Sequence, residues 1–349
     1  MFSADSQAPS AIVPPASPDA HGDARPSVAV VSVNYNQTAL TAEMLASLER
    51  AGLHTWCECY VVDNASAEDG SAVLAKAYPW VRTIRSEHNL GFAGGNNLAI
   101  RRTKADYVFL LNNDALVDPG VVEGLLGRFR ENPKLGALSP VIYDYPQTSP
   151  EPTIQYAGAT AVSSWTGRNQ TLKRGEAAGA QGEGLQAVAY AHGAAMMVSR
   201  AVLDRVGPLE EGFFLYYEEL DWCDRIRAAG FDVMLDADRA IWHRESVSTG
   251  VDSAFKIYWI NRSRILYMRR NKSATQHTLF GAFYLIGVLP LHGARHLLSG
   301  RRQHALSLWR AFRDQPGDAR DPGLPTSVKP APTPESRAIA SETLAAVEA

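Results

Sequence analysis

Tyr107-Val-Phe-Leu-Leu111 runs without a charged residue and then stops at Asn112-Asn113-Asp114. Such a run, bounded by polar side chains, reads as a β-strand covered on both faces, the pattern of a parallel sheet in an α/β protein. Ligands of open α/β sheets gather at the carboxyl ends of the strands. A carboxylate there, flanked by amides, suits a hard divalent cation carrying a phosphorylated substrate. A competing reading makes Asp114 or Asp118 the cap of a helix over Pro119–Arg130.

On either side of this strand the pattern alternates. Strands are predicted over Val28–Asn34, Glu58–Asp63, Val81–Arg85 and Leu135–Ile142, and helices over Thr41–Arg50, Ala67–Ala77 and Gly94–Arg102. Alternation of this kind predicts an α/β fold, a mostly parallel sheet with helices on both faces. Right-handed crossovers put the strand ends on one edge, so Asn34, Asp63 and Asp114 should share it. Residues 143–186, rich in Pro, Gly, Ser and Thr, read as a long loop with a hairpin. Further strands are expected over Gln186–Ala191, Phe231–Leu235 and Arg239–Trp242, and a helix over Glu218–Ala229 that stops at Gly230. After Ser253 only helices are expected, near 254–271, 277–299 and 302–313.

The 349 residues are 46% hydrophobic and 20% charged, with net charge −3, a balance that gives no reason to expect nucleic acid. Cys57, Cys59 and Cys223 are too few and too badly spaced for a disulfide framework or a zinc site, which favours a reducing, cytoplasmic setting. Residues 1–26 carry five prolines and lack the basic start and apolar core of a signal peptide; they read as a disordered leader, and the proline-rich stretch 314–349 as a disordered tail. Between them lie a region 27–252 that carries the chemistry and a helical region 253–313. From Lys256 to Arg313 there are eleven Lys or Arg and no Asp or Glu. The apolar stretch Leu279–Leu291, at 13 residues, falls short of the roughly 20 that span a bilayer. The block reads either as an amphipathic surface lying on an anionic membrane or as a packed helix with a solvated basic face.

Further constellations bear on chemistry. After the first strand, Tyr35 offers a ring to stack on a planar base and Asn36 an amide. Asp63 and Asn64 end the second strand, where a carboxylate can accept from a nucleobase or ribose; capping of the next helix by Asp63, Asn64 or Ser66 is the alternative. In Asn89-Leu-Gly-Phe-Ala-Gly-Gly-Asn-Asn97 the glycines, Gly91 and Gly94 among them, permit backbone N–H groups to approach a phosphate, with Asn97 at the loop's end. No dinucleotide fingerprint or Gly-x-x-x-x-Gly-Lys-Ser/Thr loop occurs. Phe213-Phe-Leu-Tyr-Tyr-Glu218-Glu219-Leu-Asp221-Trp222-Cys-Asp-Arg225 runs an aromatic wall into acids. Those acids suit a helix start, and Asp221 with Arg225 suits an i,i+4 ion pair. A carboxylate set against rings also loses water, which raises its pKa toward general-base range. His243 ends a short apolar run as a candidate second metal ligand.

Taken in order, VSVNYN (31–36), VVDNAS (61–66), NLGFAGGNN (89–97), LLNND (110–114), HGAAMMVSR (192–200), FFLYYEELDWCDR (213–225) and WHR (242–244) resemble glycosyltransferase family 2, inverting enzymes of the GT-A fold, and its rhamnosyltransferase-like branch. The resemblance covers about residues 27–270. It implies that Tyr35 stacks near the base and Asp63 binds the uracil or thymine imide. Asp114 stands at the last acid of the metal-binding D-x-D element, with Asn113 beside it, and His243 at a histidine that helps hold the metal–diphosphate. Glu219 aligns with the catalytic base, with Glu218 and Asp221 as rivals; Trp222 and Arg225 fall in the same motif. The implied cofactor is Mg²⁺ or Mn²⁺ and the donor a dTDP- or UDP-sugar, dTDP-L-rhamnose first among them. The acceptor is a glycan or lipid-linked glycan, reached from the inner face of the cell membrane. Sugar-1-phosphate nucleotidylyl transfer uses a similar sheet but wants a Gly-rich, basic loop where Asn34–Leu40 stands. A non-catalytic sugar-nucleotide-binding protein is the third reading.

Overall fold

A computed structural model describes residues 25–145, 151–244 and 253–315. Residues 1–24 of the leader, the tail beyond residue 315 and segments 146–150 and 245–252 lie outside the described residues. In chain order the elements are β1 (Val28–Asn34), α1 (Thr38–Arg50), β2 (Glu58–Asp63), α2 (Gly70–Ala77), β3 (Val81–Arg85), α3 (Gly91–Ile100), β4 (Tyr107–Leu111), β5 (Ala115–Val117), α4 (Val121–Glu131) and β6 (Leu135–Asp144). Then come β7 (Ile154–Tyr156), β8 (Leu185–Ala187), β9 (Ala195–Ser199), α5 (Arg200–Val206), α6 (Glu218–Ala228), β10 (Asp232–His243), α7 (Ala254–Asn271), α8 (Ala274–Phe283), α9 (Leu289–Leu298) and α10 (Arg302–Arg313).

One sheet runs β3-β2-β1-β4-β9-β6-β10-β5. Strands β3, β2, β1 and β4 are parallel, and β10 is parallel to β6. The α/β reading with helices packed on the sheet therefore holds. Along this order the antiparallel members are β9, between β4 and β6, and β5, on the far edge; off it, β7 and β8 pair antiparallel with β6 and β10. Neither was expected. Ala195–Ser199 is apolar but short and opens directly into α5, so its five residues carry no alternation; β5 is only three residues long. The two strands predicted near 231–242 form a single strand, β10, whose register slips between Asp236 and Ala240. That irregularity lets one strand pair with β6 along its whole length and still deliver His243 to the site edge.

The helices follow the buried spacing of their apolar residues. Leu40, Met44, Leu45 and Leu48 put one face of α1 into the core, and Val121, Val122, Leu125 and Phe129 do the same for α4. α4 starts after Gly120 with no side-chain cap, so neither Asp114 nor Asp118 caps it. Asp69, not Asp63, Asn64 or Ser66, caps α2 by accepting from Ser71 N. Both corrections leave carboxylates at strand ends without a capping task. α7 packs into the same core as the sheet: Ile265, Leu266, Tyr267 and Met268 are buried with it. Its Ser263 hydroxyl donates to the carbonyls of Phe213 and Leu215, which holds the loop before α6.

Beyond α7, α8 runs through a π turn (Tyr284–Val288) into α9 without a break, although Pro290 sits inside it. A proline removes one helical donor and crowds the preceding turn; the π turn just before it absorbs that crowding. The continuous helix Ala274–Leu298 is 25 residues, long and apolar enough to cross a membrane by length and composition, unlike the 13-residue stretch read from sequence.

Gly91 joins the two halves of the structure. Its φ is +68°, and a Cβ there would come 2.2 Å from the Phe214 carbonyl oxygen. Gly91→Ala should destabilise the fold by roughly 1–3 kcal/mol, from the left-handed backbone alone and more from the clash. A urea melt measures it; an unchanged midpoint would mean that the loop before α6 does not sit on α3.

Candidate active site

At the carboxyl edge of the sheet a chain of hydrogen bonds links the strand ends. Asp63, fully buried, accepts from Asn34 Nδ2 (3.0 Å), Ser66 N (3.0 Å) and Arg85 Nη1 (2.9 Å). Those donors take three of about four lone-pair directions, leaving one on Oδ2. Asn34 Oδ1 lies 3.1 Å from Thr41 Oγ1, which accepts from Asn113 Nδ2 at 3.1 Å. The next residue is Asp114. Arg85 is the register neighbour of Asp63 on β3, and it and Thr41 were not singled out from sequence, whereas Asn34 was placed on this edge. The position of Arg85 at a strand end was the available signal for it.

On the other side of Asp114 stands His243, with Nε2 3.1 Å from Asp114 Oδ1 and 3.1 Å from Asn112 Nδ2. Its Nδ1 is 2.6 Å from Gln155 Oε1. Gln155 is oriented by donating its Nε2 to Asp144 Oδ1 at 3.0 Å, so the Nδ1 proton of His243 points at Gln155. Nε2 and the Asp114 carboxylate then face each other, and Asp114 Oδ1, though buried, accepts no hydrogen bond. Nε2 then accepts from Asn112 Nδ2, and a positive charge beside the Asp114 oxygen, either a proton on Nε2 or a metal cation, would balance that carboxylate. Among the described residues no cluster of three or more His, Cys, Asp and Glu occurs. A cation here would complete its shell from elsewhere, as hard cations do with phosphates and water.

The segment His192–Ala194 leads from this pair to the acids. The His192 and His243 rings are 6.4 Å apart, and Ala194 O accepts from Asn112 N. Burial, then the neighbouring His243, depresses the His192 pKa to about 3, so this imidazole stays neutral. Its Nδ1 accepts from Ala194 N. A Cβ on Gly193 would sit 3.9 Å from Glu219 Cβ and 3.3 Å from the Phe92 ring. His192 lies inside a motif recognised in the sequence, yet its place in the site became visible only in three dimensions.

Glu218 and Glu219 open α6 and differ. Glu218 is buried; loss of water, then the adjacent Glu219, pushes its pKa well above the ordinary carboxylate value. Glu219 is partly exposed, and desolvation raises it to about 7. Its Oε2 has no hydrogen-bond partner. Among the described residues, five of the six non-glycine residues with positive φ lie in the loops of this edge: Asn36, Ala65, Phe214, Tyr216 and Tyr217. Left-handed backbone costs about 1–2 kcal/mol per L-residue, and such strain collects where geometry is held for function.

Several predicted ligand contacts are framework instead. Asn64 is tied to Asn89 Oδ1, Gly91 O and Leu90 N. Asn97, fully buried, binds Leu209 and Glu211. The phosphate cradle expected at 89–97 is not open: Leu90 N, Gly91 N and Phe92 N donate to Asn64, Asn89 and Phe214. Gly94 is buried in α3 against Leu90. Asn36 accepts from Ala67 N and so stitches two loops, while Tyr35 stays half-buried at the end of β1. Asp221 is held by Arg225, Arg270 and Asn271, Arg225 also donates to Val206 O and Pro208 O, and Trp222 donates to Gly207 O from the core. The reason is helical: Asp221 and Arg225 lie about 200° and 240° around α6 from Glu219.

Residues 29–207 match the family model described as Glycosyl transferase family 2. The chain belongs to glycosyltransferase family 2. It is a glycosyltransferase of the GT-A fold. Among relatives of this family-2 chain, the N-acetylglucosaminyl-diphospho-decaprenol L-rhamnosyltransferase of Mycobacterium tuberculosis is 26% identical over 264 residues, covering 68% of this chain and 83% of the relative. The low-salt glycan biosynthesis hexosyltransferase Agl10 of Haloferax volcanii is 26% identical over 60% of this chain and 66% of its own length. In fold it is similar to the mannosyltransferase PcManGT of Pyrobaculum calidifontis, solved with GDP-Man and Mn²⁺ (TM-score 0.52, 16% identity, 82% of this chain and 86% of that one). It is also similar to GalNAc-T7, solved with UDP, GalNAc and Mn²⁺ (TM-score 0.54, 12% identity, 68% of this chain); there it spans only 47% of the other chain.

Asp221→Ala should lower stability by about 1–3 kcal/mol, since it strands two arginines that are partly exposed. Chemical denaturation of the variant checks this. Unchanged stability with turnover lost by orders of magnitude would return Asp221 to the list of catalytic acids.

Proposed function

We propose that the chain transfers a sugar, with inversion, from a dTDP- or UDP-sugar to a hydroxyl of a lipid-linked glycan, with Glu219 as the base. The observation that carries this reading is Glu219 itself: a partly exposed residue whose buried Oε2 has no partner and whose pKa is raised by burial to about 7. Glu219 takes the proton of the acceptor hydroxyl as its oxygen attacks the anomeric carbon. The bond to the diphosphate breaks on the opposite face, and its electrons leave with the diphosphate. Fixed backbone around Glu219 holds the base in line, and positioning supplies much of the rate in such reactions. Neutral His192 adds no competing charge beside it.

Asp114 and His243 fit a divalent cation, Mg²⁺ or Mn²⁺, through an orphaned carboxylate oxygen and an imidazole nitrogen whose partner atom carries the proton. When bound, the cation supplies positive charge for the diphosphate leaving group. Tyr35 and the remaining lone pair of Asp63 are the nearest candidates for the base. The M. tuberculosis relative's name makes L-rhamnose the first donor sugar to test and a diphospho-lipid sugar the first acceptor.

The helices after α7 favour a membrane-bound acceptor. Ile286, Leu291 and Leu298 are 80%, 69% and 90% exposed, beside Arg295, Arg301 and Arg302 and with no acid from Lys256 to Arg313. An apolar face rimmed by cations suits an anionic leaflet. We assign residues 27–252 to sugar transfer and 253–313 to the approach to the inner face of the membrane, with α7 as the packed joint between them.

Glu219→Gln should cut turnover by about 10²–10⁴-fold with donor affinity kept. Because the base must be ionised, wild-type kcat/KM should fall as pH drops through about 7. Steady-state kinetics with a donor panel decide it, and turnover retained in the variant would remove Glu219 from the mechanism. Replacing Ile286 and Leu298 by Ser should weaken flotation with phosphatidylglycerol vesicles; binding unchanged by the substitutions, or indifferent to lipid charge, would count against the membrane face.

A further inference from the structure

A second group of cations lies across Tyr217 from Glu219. Arg264, on α7, is 2% exposed, and its Nε has no hydrogen-bond partner. Its Nη2 donates to Asn261 Oδ1 at 2.7 Å, and the guanidinium lies 5.1 Å from the Tyr284 ring centre. Among the described residues no carboxylate pairs with it. A buried guanidinium without a counter-anion is costly. Burial, with Arg168 adding repulsion, holds the Arg264 pKa below its ordinary value.

Arg168 reaches the same place from the loop after β7. Gly167 has φ +63°, and a Cβ on it would stand 2.9 Å from Arg264 Cγ and 3.1 Å from both Met268 Cγ and the Phe280 ring. The loop is therefore seated directly on α7 and α8, with Arg168 exposed at its end. Arg168 and Arg264 both act on partly buried His292 of α9, whose pKa is lowered first by burial and then by their charge. Tyr217 closes the connection: its hydroxyl donates to Gly167 O at 2.6 Å, and it directly precedes α6.

We propose that Arg264 and Arg168 form an anion subsite for the phosphate that joins the acceptor sugar to its lipid. This rests on the lipid-linked acceptor proposed above. The acceptor must approach Glu219 from the face opposite the leaving diphosphate, and the loop that carries Arg168 is bonded to Tyr217, two residues before Glu219. A phosphate bonded to the sugar that bears the attacking hydroxyl falls about one sugar's width from the base. The lipid would continue toward the exposed apolar face of α8 and α9. Guanidinium pairs are well suited to phosphate oxygens.

The test compares two acceptors in the full-length protein with donor saturating: a lipid diphospho-sugar and an alkyl glycoside of the same sugar without phosphate. Arg168→Ala and Arg168→Glu change an exposed residue and so keep the fold; Arg264→Gln is the buried companion. The ratio of kcat/KM for the phosphorylated acceptor to that for the glycoside should fall about tenfold in Arg168→Ala and further in Arg168→Glu, mainly through KM. An unchanged ratio with an active wild type overturns the subsite while leaving the transferase reading intact. Loss of binding to phosphatidylglycerol vesicles with that ratio unchanged assigns the cluster to lipid headgroups and also overturns it. A wild type that glycosylates neither acceptor, yet hydrolyses donor, removes the lipid-linked acceptor and the subsite together.

Discussion

The bond from His243 Nδ1 to Gln155 fixes which nitrogen faces the cleft. Gln155 is in turn held by Asp144 on β6, the neighbouring strand of the sheet. With Nδ1 committed, Nε2 is left 3.1 Å from a carboxylate oxygen that has no donor of its own. Everything proposed for the donor end of the site depends on that carboxylate oxygen, held beside the imidazole without a donor. Orientation of a ligand imidazole by an outer partner is how metal sites are commonly set before a metal arrives.

The rest of the edge holds this pair in relation to the base. Hydrogen bonds step from Asp63 through Asn34 and Thr41 to Asn113, and the His192–Ala194 segment carries the geometry on to Glu219. Left-handed residues in the flanking loops show where the backbone has been forced to comply. Of the two adjacent glutamates Glu218 is buried and Glu219 partly exposed, and loss of water raises the pKa of both.

Much of the fold was legible because buried parallel strands announce themselves as short apolar runs with polar ends, as Tyr107–Asp114 does. The antiparallel β9 was not, since five residues leading straight into a helix carry no period of their own. In the site, Asp114, His243 and Glu219 were legible as polar residues at element ends. Asn64, Asn97, Asp221, Trp222 and Arg225 carried the same local signal but face the interior, which only packing decides. The cleft's silent partners, Gln155, Arg85 and His192, come from segments far apart in sequence. No spacing rule joins residue 155 to residue 243.

Crystals grown with Mn²⁺ and a nucleoside diphosphate, measured at the manganese absorption edge, test the central claim most directly. The account predicts one anomalous peak between Asp114 and His243 Nε2, with Nδ1 still bonded to Gln155. A peak elsewhere in the cleft, or a nucleotide bound with an Asp114–His243 contact closed by a proton alone, would contradict it.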